Sequence, residues 1–309
     1  MNHEDRDLDV IIIGAGPAGL SAAIWCKDLG LDAVVLEKGP ETGGQLLSIY
    51  NPITNYPGLR TENGRELRDR FLETAKSYAV DIRLSTEIVH IDKQNLTAVT
   101  ADGTGLSARS IIVATGVRRR RLNIPGEIEL AGKGIIESGS RDKELVRGKT
   151  VAIIGGGDAA LENALILSEY ASKIYVIHRR NEFSARKEFV DRAAAIPATE
   201  FILNAEVVRI IGEERVEALE FIDRETKGHG TVLVDAVLLR IGVEPNSGLI
   251  SDSSDLGPAG YVSTRPSGEP GIYAAGDVAN RIAPTIAAAA GTGSSAAKAI
   301  ARALLVAAE

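Results

Sequence analysis

The sequence predicts an α/β chain of two Rossmann-like, three-layer nucleotide-binding domains, the second inserted into the first. Three observations carry this reading. Two short β-branched runs each enter a glycine turn and then a helical pattern. The first glycines of those turns, Gly14 and Gly155, lie 141 residues apart. Each half then closes on a β-rich stretch, so the two halves share one layout.

Asp9-Val10-Ile11-Ile12-Ile13 is apolar without alternation, as a parallel strand covered on both faces requires. It runs into Gly14-Ala15-Gly16-Pro17-Ala18-Gly19. A helical pattern over 20–29 and a second strand, Ala33-Val34-Val35-Leu36, complete a βαβ unit. Residues 80–113 read as short strands joined by turns, ending in Ile111-Ile112-Val113-Ala114-Thr115-Gly116. The pattern restarts with Thr150-Val151-Ala152-Ile153-Ile154 and Gly155-Gly156-Gly157-Asp158-Ala159-Ala160. A helix over 161–170 and the strand Ile174-Tyr175-Val176-Ile177 follow. A second β-rich stretch spans 200–241. Gly271-Ile272-Tyr273-Ala274-Ala275-Gly276-Asp277 is again a strand meeting a turn, and the alanine-rich stretch 286–308 is a buried-type helix. This last segment has to return to the first domain. The expected division is therefore 1–117 with 245–309 for the first domain and 118–244 for the second.

Composition narrows the function. The 309 residues carry 35 Lys+Arg against 42 Asp+Glu, a net charge of −7. That balance argues against nucleic acid or an anionic membrane as partner. With 44% hydrophobic and 25% charged residues the chain has an ordinary globular composition. One cysteine, Cys26, allows no intrachain disulfide and no cysteine-based metal site. No metal site is expected. Met1-Asn2-His3-Glu4-Asp5 is polar and acidic, not a leader, so a cytoplasmic protein is expected.

The glycine turns carry the chemistry. Gly14 permits the tight turn, Gly16 lets backbone approach a diphosphate, and Gly19 lets helix and strand pack closely. The helix N-terminus then offers free N–H groups to the diphosphate. Glu37, 23 residues after Gly14, ends the second strand, where a carboxylate accepts from a ribose 2′-hydroxyl. The same spacing from Gly155 reaches His178, followed by Arg179 and Arg180. An acid there would repel a 2′-phosphate, whereas arginines fork onto it, so the second domain prefers NADP(H) over NAD(H). Arg186 is expected to add to that clamp. The four arginines at 118–121, with no acidic partner evident, read as a solvated interdomain linker.

Gly14-Ala15-Gly16-Pro17-Ala18-Gly19, Gly43-Gly44-Gln45-Leu46, Asn55-Tyr56-Pro57-Gly58, Ala114-Thr115-Gly116, Gly155-Gly156-Gly157-Asp158-Ala159-Ala160, His178-Arg179-Arg180 and Ala275-Gly276-Asp277-Val278 occur in this order. Together they resemble the low-molecular-weight thioredoxin reductase family of FAD/NADPH flavoproteins, over nearly the whole chain. The resemblance implies FAD in the first domain, NADPH in the second, and a homodimer. By position it assigns FAD to Gly14, Gly16, Pro17, Ala18, Gly19, Glu37, Lys38, Gly43, Gly44, Gln45, Leu46, Tyr50, Asn55, Ala114, Thr115, Gly116, Gly276 and Asp277. Among these, 43–45 would meet the flavin and Gly276 with Asp277 the ribityl–diphosphate; Asp277 also reads as a helix N-cap. NADPH is assigned to Gly155, Gly157, Asp158, Ala159, His178, Arg179, Arg180 and Arg186.

One departure from the family is large. Its redox-active Cys-x-x-Cys and the following Asp fall here on Ser138-Gly139-Ser140-Arg141 and Asp142, with no thiol. Electrons then have no internal disulfide to cross. The expected reaction passes them from NADPH through FAD to an external acceptor such as ferredoxin, flavodoxin, a quinone or oxygen. The alternatives are a sensor or binding protein without turnover, or a thioredoxin reductase homologue acting on another disulfide partner. Thioredoxin-reductase-like ferredoxin–NADP reductases also lack the dithiol and carry a flavin-stacking tyrosine where Tyr50 stands. Ala290-Gly291-Thr292-Gly293 is closer to the thioredoxin reductase form. Asp142 is the one acid left as a catalytic candidate.

Overall fold

The computed structural model describes residues 8–250, 256–263 and 271–306; residues 1–5 and the end of the predicted tail helix lie outside the described residues. The chain divides into two compact units, Met1–Arg118 with Glu244–Glu309, and Arg119–Val243.

In the first unit β1 (Leu8–Ile13), α1 (Pro17–Asp28) and β2 (Ala33–Leu36) form the expected βαβ unit. β1 and β2 pair in parallel, with Ile11 opposite Val34 and Ile13 opposite Leu36. α2 (Gly64–Ser77) leads to β3 (Asp81–Arg83), which extends the sheet beside β2. A meander of β4 (Ile88–Asp92), β5 (Thr97–Thr100) and β6 (Gly105–Val113) follows. The start of β6 pairs antiparallel with β5, and its end pairs in parallel with β1, so one long strand joins meander to sheet. Alternate β1 residues then face two cores. Val10 and Ile12 pack with Leu20 and Cys26 on the helix side, while Ile11 and Ile13 pack with Ile88 and Ala98 on the meander side. Helices, sheet and meander are the three layers.

After β7 (Val117–Arg119) comes the second unit, with β8 (Ile135–Ile136), α3 (Gly139–Asp142), β9 (Thr150–Ile154), α4 (Asp158–Leu167), β10 (Lys173–Ile177), α5 (Lys187–Ala194) and β11 (Thr199–Ile202). Strands β12 (Ala205–Ile211), β13 (Ala218–Asp223) and β14 (His229–Leu233) form an antiparallel meander before β15 (Ala236–Leu239). The parallel sheet runs β11-β10-β9-β15-β8. Leu161 and Leu167 of α4 cover one face of it, and Val207, Ile210 and Leu219 of the meander cover the other.

The chain returns through β16 (Val243–Pro245), which pairs with β7. β17 (Ile272–Ala274) then adds to β6 in parallel, Tyr273 opposite Ile112. α6 (Ile286–Val306) lies close on α1, because a Cβ on Gly293 would collide with the Ala18 carbonyl. The Ser21 hydroxyl donates to the Ala290 carbonyl across that contact (2.7 Å). No helix among the described residues is long and apolar enough to cross a membrane.

All four arginines of the run are exposed, and three of them also have partners. Arg118 pairs with Glu244 (2.8 Å), Arg119 donates to the Glu137 carbonyl, and Arg120 Nε donates to the Val243 carbonyl (2.9 Å). These partners come from sequence 18 to 126 residues away, which a linear reading does not bring near.

Candidate functional site

In the first unit the glycine turn sits where β1 ends. Gly14 has φ +106, open to glycine alone at little cost. Gly19 lets α1 pass directly over the Gly14 carbonyl. Gly16 caps α1 without a side-chain hydrogen bond, and Pro17 occupies the first turn, where its missing N–H costs nothing. A Cβ on Gly16 would meet only Gly44 Cα, at 3.9 Å. The space before the helix N-terminus is therefore open, and it fits a diphosphate.

Three other segments converge on this turn. The Glu37 carboxylate accepts from Ala15 N and Gly39 N, both at 2.8 Å, which fixes its position and leaves acceptor capacity on each oxygen. Gly43 N donates to the Ala15 carbonyl (2.8 Å), placing Gly44 opposite Gly16. Leu46 anchors that segment in a small core with Ile53 and Leu67. Gly276 lies against the first turn of α1, where an added Cβ would press on Ala18 Cβ at 2.7 Å. Asp277, beside it, is partly buried and makes no hydrogen bond among the described residues; burial raises its pKa. It does not cap the turn, as the sequence suggested, because Ala275 holds that position.

Gln45 Nε2 reaches the Val117 carbonyl (2.8 Å). Thr115 is clamped by a residue the sequence reading did not single out. Its hydroxyl donates to the Asn246 carbonyl (2.7 Å), and Asn246 Nδ2 donates back to the Thr115 carbonyl (2.8 Å). Asn246 N also donates to the Gly116 carbonyl (2.9 Å), and Ala114 N to Ile13 (2.9 Å). Lys38, Tyr50 and Asn55 are exposed.

The second unit repeats the turn. Gly155 has φ +147 and lies on the Arg240 carbonyl. Gly157 caps α4 with no side-chain hydrogen bond, and its nearest neighbour for an added Cβ is Ser184 Oγ at 3.8 Å. The segment after β10 folds back here: Ser184 N donates to the Gly156 carbonyl (2.8 Å). Arg186 N and Nε donate to the Asp158 carboxylate at 2.7 and 2.8 Å. The backbone bond from Arg186 is the main reason the Asp158 pKa is lowered. Arg186 is thus occupied in closing the loop, with its guanidinium 4.4 Å from the Phe189 ring centroid. It is not among the residues that line the cleft of Arg179 and Arg180. Ala159 is exposed at the start of α4, its carbonyl accepting from Asn163 Nδ2 (2.6 Å).

His178 is buried against Gly156 and stacks on Phe183, with centroids 5.6 Å apart. Its Nε2 has no hydrogen-bond partner among the described residues, and burial, aided by Arg180, lowers its pKa. It backs the turn as a neutral ring. Arg179 and Arg180 line an open cleft of ≈ 380 Å³ together with Asn181, Asn204, Arg224 and Glu225.

Residues 138–142 form a hydrogen-bonded polar knot. Ser138 caps α3, accepting from Arg141 N (3.3 Å). The Asp142 carboxylate accepts from Glu137 N (2.9 Å), Ser138 N (3.0 Å), Arg141 Nε and Arg141 Nη2 (2.9 Å). Burial works to raise its pKa, but the bonds from Arg141 and the two backbone groups outweigh it and hold the group below its ordinary value. The Asp142 carboxylate thus braces the segment through the four hydrogen bonds donated to it. Arg240 and Asn163 complete the knot. Arg240 Nη2 donates to the Glu137 carbonyl (2.9 Å), and Gly139 N donates to Asn163 Oδ1 (3.0 Å). Burial, with Arg119 adding, lowers the Arg240 pKa to about 10. Cys26 is fully buried in the first unit, and burial, with Asp9 adding, pushes its thiol up to about 12. It is inert at neutral pH.

Two glycine-turn folds of this kind define a class of dinucleotide-binding proteins. Residues 8–293 match the pyridine nucleotide-disulphide oxidoreductase family. The chain is 38% identical to the bifunctional thioredoxin reductase/thioredoxin of Mycobacterium leprae over 94% of its own length, spanning 64% of that protein. It is 33% identical to thioredoxin reductase of Listeria innocua, covering 95% of this chain and 92% of that one. The structure of thioredoxin reductase from Lactococcus lactis superposes with a TM-score of 0.86 at 28% identity, covering 97% of this chain and all of the other. The protein belongs to the pyridine nucleotide-disulphide oxidoreductase family, in its low-molecular-weight thioredoxin-reductase-like branch. It is an NAD(P)H-dependent flavin oxidoreductase with FAD and NADPH as cofactors.

Proposed function

We propose that this enzyme passes electrons from NADPH, through FAD, directly to an external acceptor, with no internal disulfide between flavin and acceptor. One observation carries it: the sole cysteine is buried and inert, and the position of the family's dithiol is a knot of Ser138, Arg141 and Asp142. Bound FAD supplies the electron-carrying chemistry.

The chain's own residues bind and orient. Gly16 and the N-terminus of α1 hold the FAD diphosphate, the fixed Glu37 carboxylate accepts from the adenosine ribose, and Asp277 stands beside α1 to accept from a hydroxyl of the cofactor chain. Gly43, Gly44, Gln45 and Leu46 form the flavin side of the cradle, and the Thr115–Asn246 clamp sets the end of β6. In the second unit Gly157 and α4 receive the NADPH diphosphate, and Arg179 with Arg180 receives the 2′-phosphate. FAD then belongs to the split unit and NADPH to the inserted one.

A second reading concerns the acceptor. The relatives named thioredoxin reductase favour a disulfide-bearing protein partner over ferredoxin, flavodoxin, a quinone or oxygen. Such a disulfide would have to meet the flavin itself. An anaerobic panel of these acceptors separates the two. We further take the protein to be a cytoplasmic homodimer that uses the α6 face, where Leu305 and Val306 are exposed.

Arg180→Ala tests the nucleotide assignment. It should raise the KM for NADPH about tenfold, in keeping with ~1–3 kcal/mol for an arginine–phosphate contact, while NADH kinetics stay unchanged. Equal loss for both nucleotides would mean that Arg180 serves the fold.

A further inference from the structure

We infer that Arg224, at the tip of the β13–β14 hairpin, is a third specificity-determining arginine for the 2′-phosphate of NADPH; this rests on the nucleotide assignment above. It stands 44 residues beyond Arg180 in sequence and lines the same cleft as Arg179, Arg180, Asn181 and Asn204.

Backbone hydrogen bonds hold it there. Asn204 N donates to the Arg180 carbonyl (3.1 Å), and Arg224 N donates to the Asn204 carbonyl (2.7 Å). Residues 180, 204 and 224 thus form consecutive rungs, and Asn204 takes a left-handed conformation (φ +53) to make the turn between them. The hairpin beyond is fixed by the Asp223 carboxylate, which accepts from Glu225 N (2.9 Å) and Thr226 N (2.8 Å). Lys227 Nζ donates to the Arg224 carbonyl (2.8 Å). The backbone under the third guanidinium is therefore preorganised, which limits the ordering cost of binding.

The side chain remains available. Arg224 Nη1 reaches the Arg179 carbonyl at 3.4 Å, and Nε lies 3.4 Å from Glu206 Oε2 in an exposed ion pair. Pairs of this kind contribute little and are readily exchanged for a better anion. A guanidinium has five N–H donors, so most of them stay free. Three arginines line the cleft with one glutamate, Glu225, and Glu206 stands beside Arg224 in the exposed pair. A phosphate monoester brings about −1.5 to −2 charges at neutral pH, whereas the ribose hydroxyl of NADH brings none. The excess positive charge therefore discriminates between the two nucleotides.

The test is calorimetric binding of 2′,5′-ADP and 5′-AMP to the FAD-loaded protein, in wild type, Arg224→Ala and Arg224→Lys. Arg224→Ala should weaken 2′,5′-ADP about five- to tenfold, an exposed charge-assisted contact, and leave 5′-AMP unchanged. Arg224→Lys should restore part of the loss by keeping the charge. Unchanged 2′,5′-ADP binding in Arg224→Ala would overturn the inference, as would equal loss for both ligands, which would make the hairpin a purely structural support. If wild type itself bound 2′,5′-ADP no better than 5′-AMP, the nucleotide assignment would fail, and this inference with it.

Discussion

Valine at Gly16 and valine at Gly19 should separate binding from folding. At Gly16 the backbone is extended (φ −77, ψ −176), a conformation valine adopts readily, and an added Cβ meets nothing closer than 3.9 Å. The apoprotein of Gly16→Val should therefore melt within a few degrees of wild-type apoprotein, as surface substitutions within ~0.5 kcal/mol do. Its isopropyl group would instead occupy the space for the diphosphate. Losing two N–H bonds to phosphate, each ~1.5–3 kcal/mol, should raise the FAD Kd about 10²- to 10⁴-fold. At Gly19 the added Cβ runs into the Gly14 carbonyl, backbone against backbone, with no side chain free to move aside. Overpacking there costs ~3 kcal/mol or more, which is a fall in Tm of about 6–12 °C for a unit of this size. Both proteins should be stripped of flavin before melting, because bound ligand itself raises Tm. Fluorescence titration of the apoproteins with FAD then reads affinity. If Gly16→Val bound FAD like wild type, the diphosphate would not sit at this turn.

The Asp142 carboxylate has a folded pKa below its ordinary value, so its stabilisation is present above about pH 4 and is lost as pH falls through the depressed value. Asp142→Asn should cost ~2 kcal/mol at neutral pH and flatten the acid limb of a Tm-against-pH curve; an unchanged limb would mean the Arg141 pair contributes nothing. Cys26→Ser should leave NADPH-dependent ferricyanide reduction intact, since the thiol is buried and its pKa is about 12; loss of activity in a folded, yellow variant would contradict a dithiol-free path.

The two glycine turns and their strands were legible because they are local: an unbroken apolar run meeting glycine is visible within a dozen residues. The helix starts were less so. α1 begins at Pro17 and α4 at Asp158, three residues ahead of the hydrophobic patterns at Leu20 and Leu161. Proline at N1 was the available sign for the first. α2 was missed although its signals are present. Asn63 accepts from Glu66 N (3.0 Å) as an N-cap, and Leu67, Phe71 and Ala75 recur every fourth residue. Other features could not be read from one dimension. Asn246 meets Thr115 across 131 residues, and Arg240 meets Glu137 across 103. Arg186 has the spacing of a phosphate ligand, yet Asp158, 28 residues earlier, captures it. Arg224 has no motif around it at all; only the folded hairpin brings it to the cleft.

An anaerobic titration of the FAD-loaded enzyme with NADPH, followed at the flavin absorbance band, counts the redox centres of the protein. With the flavin as the single redox centre, each FAD should take up one electron pair, delivered as one hydride equivalent, and bleaching should end there. Persistence of the oxidised band with excess NADPH would show a protein that binds flavin without turning over. Uptake of a second electron pair per FAD would reveal another redox centre and contradict the dithiol-free path.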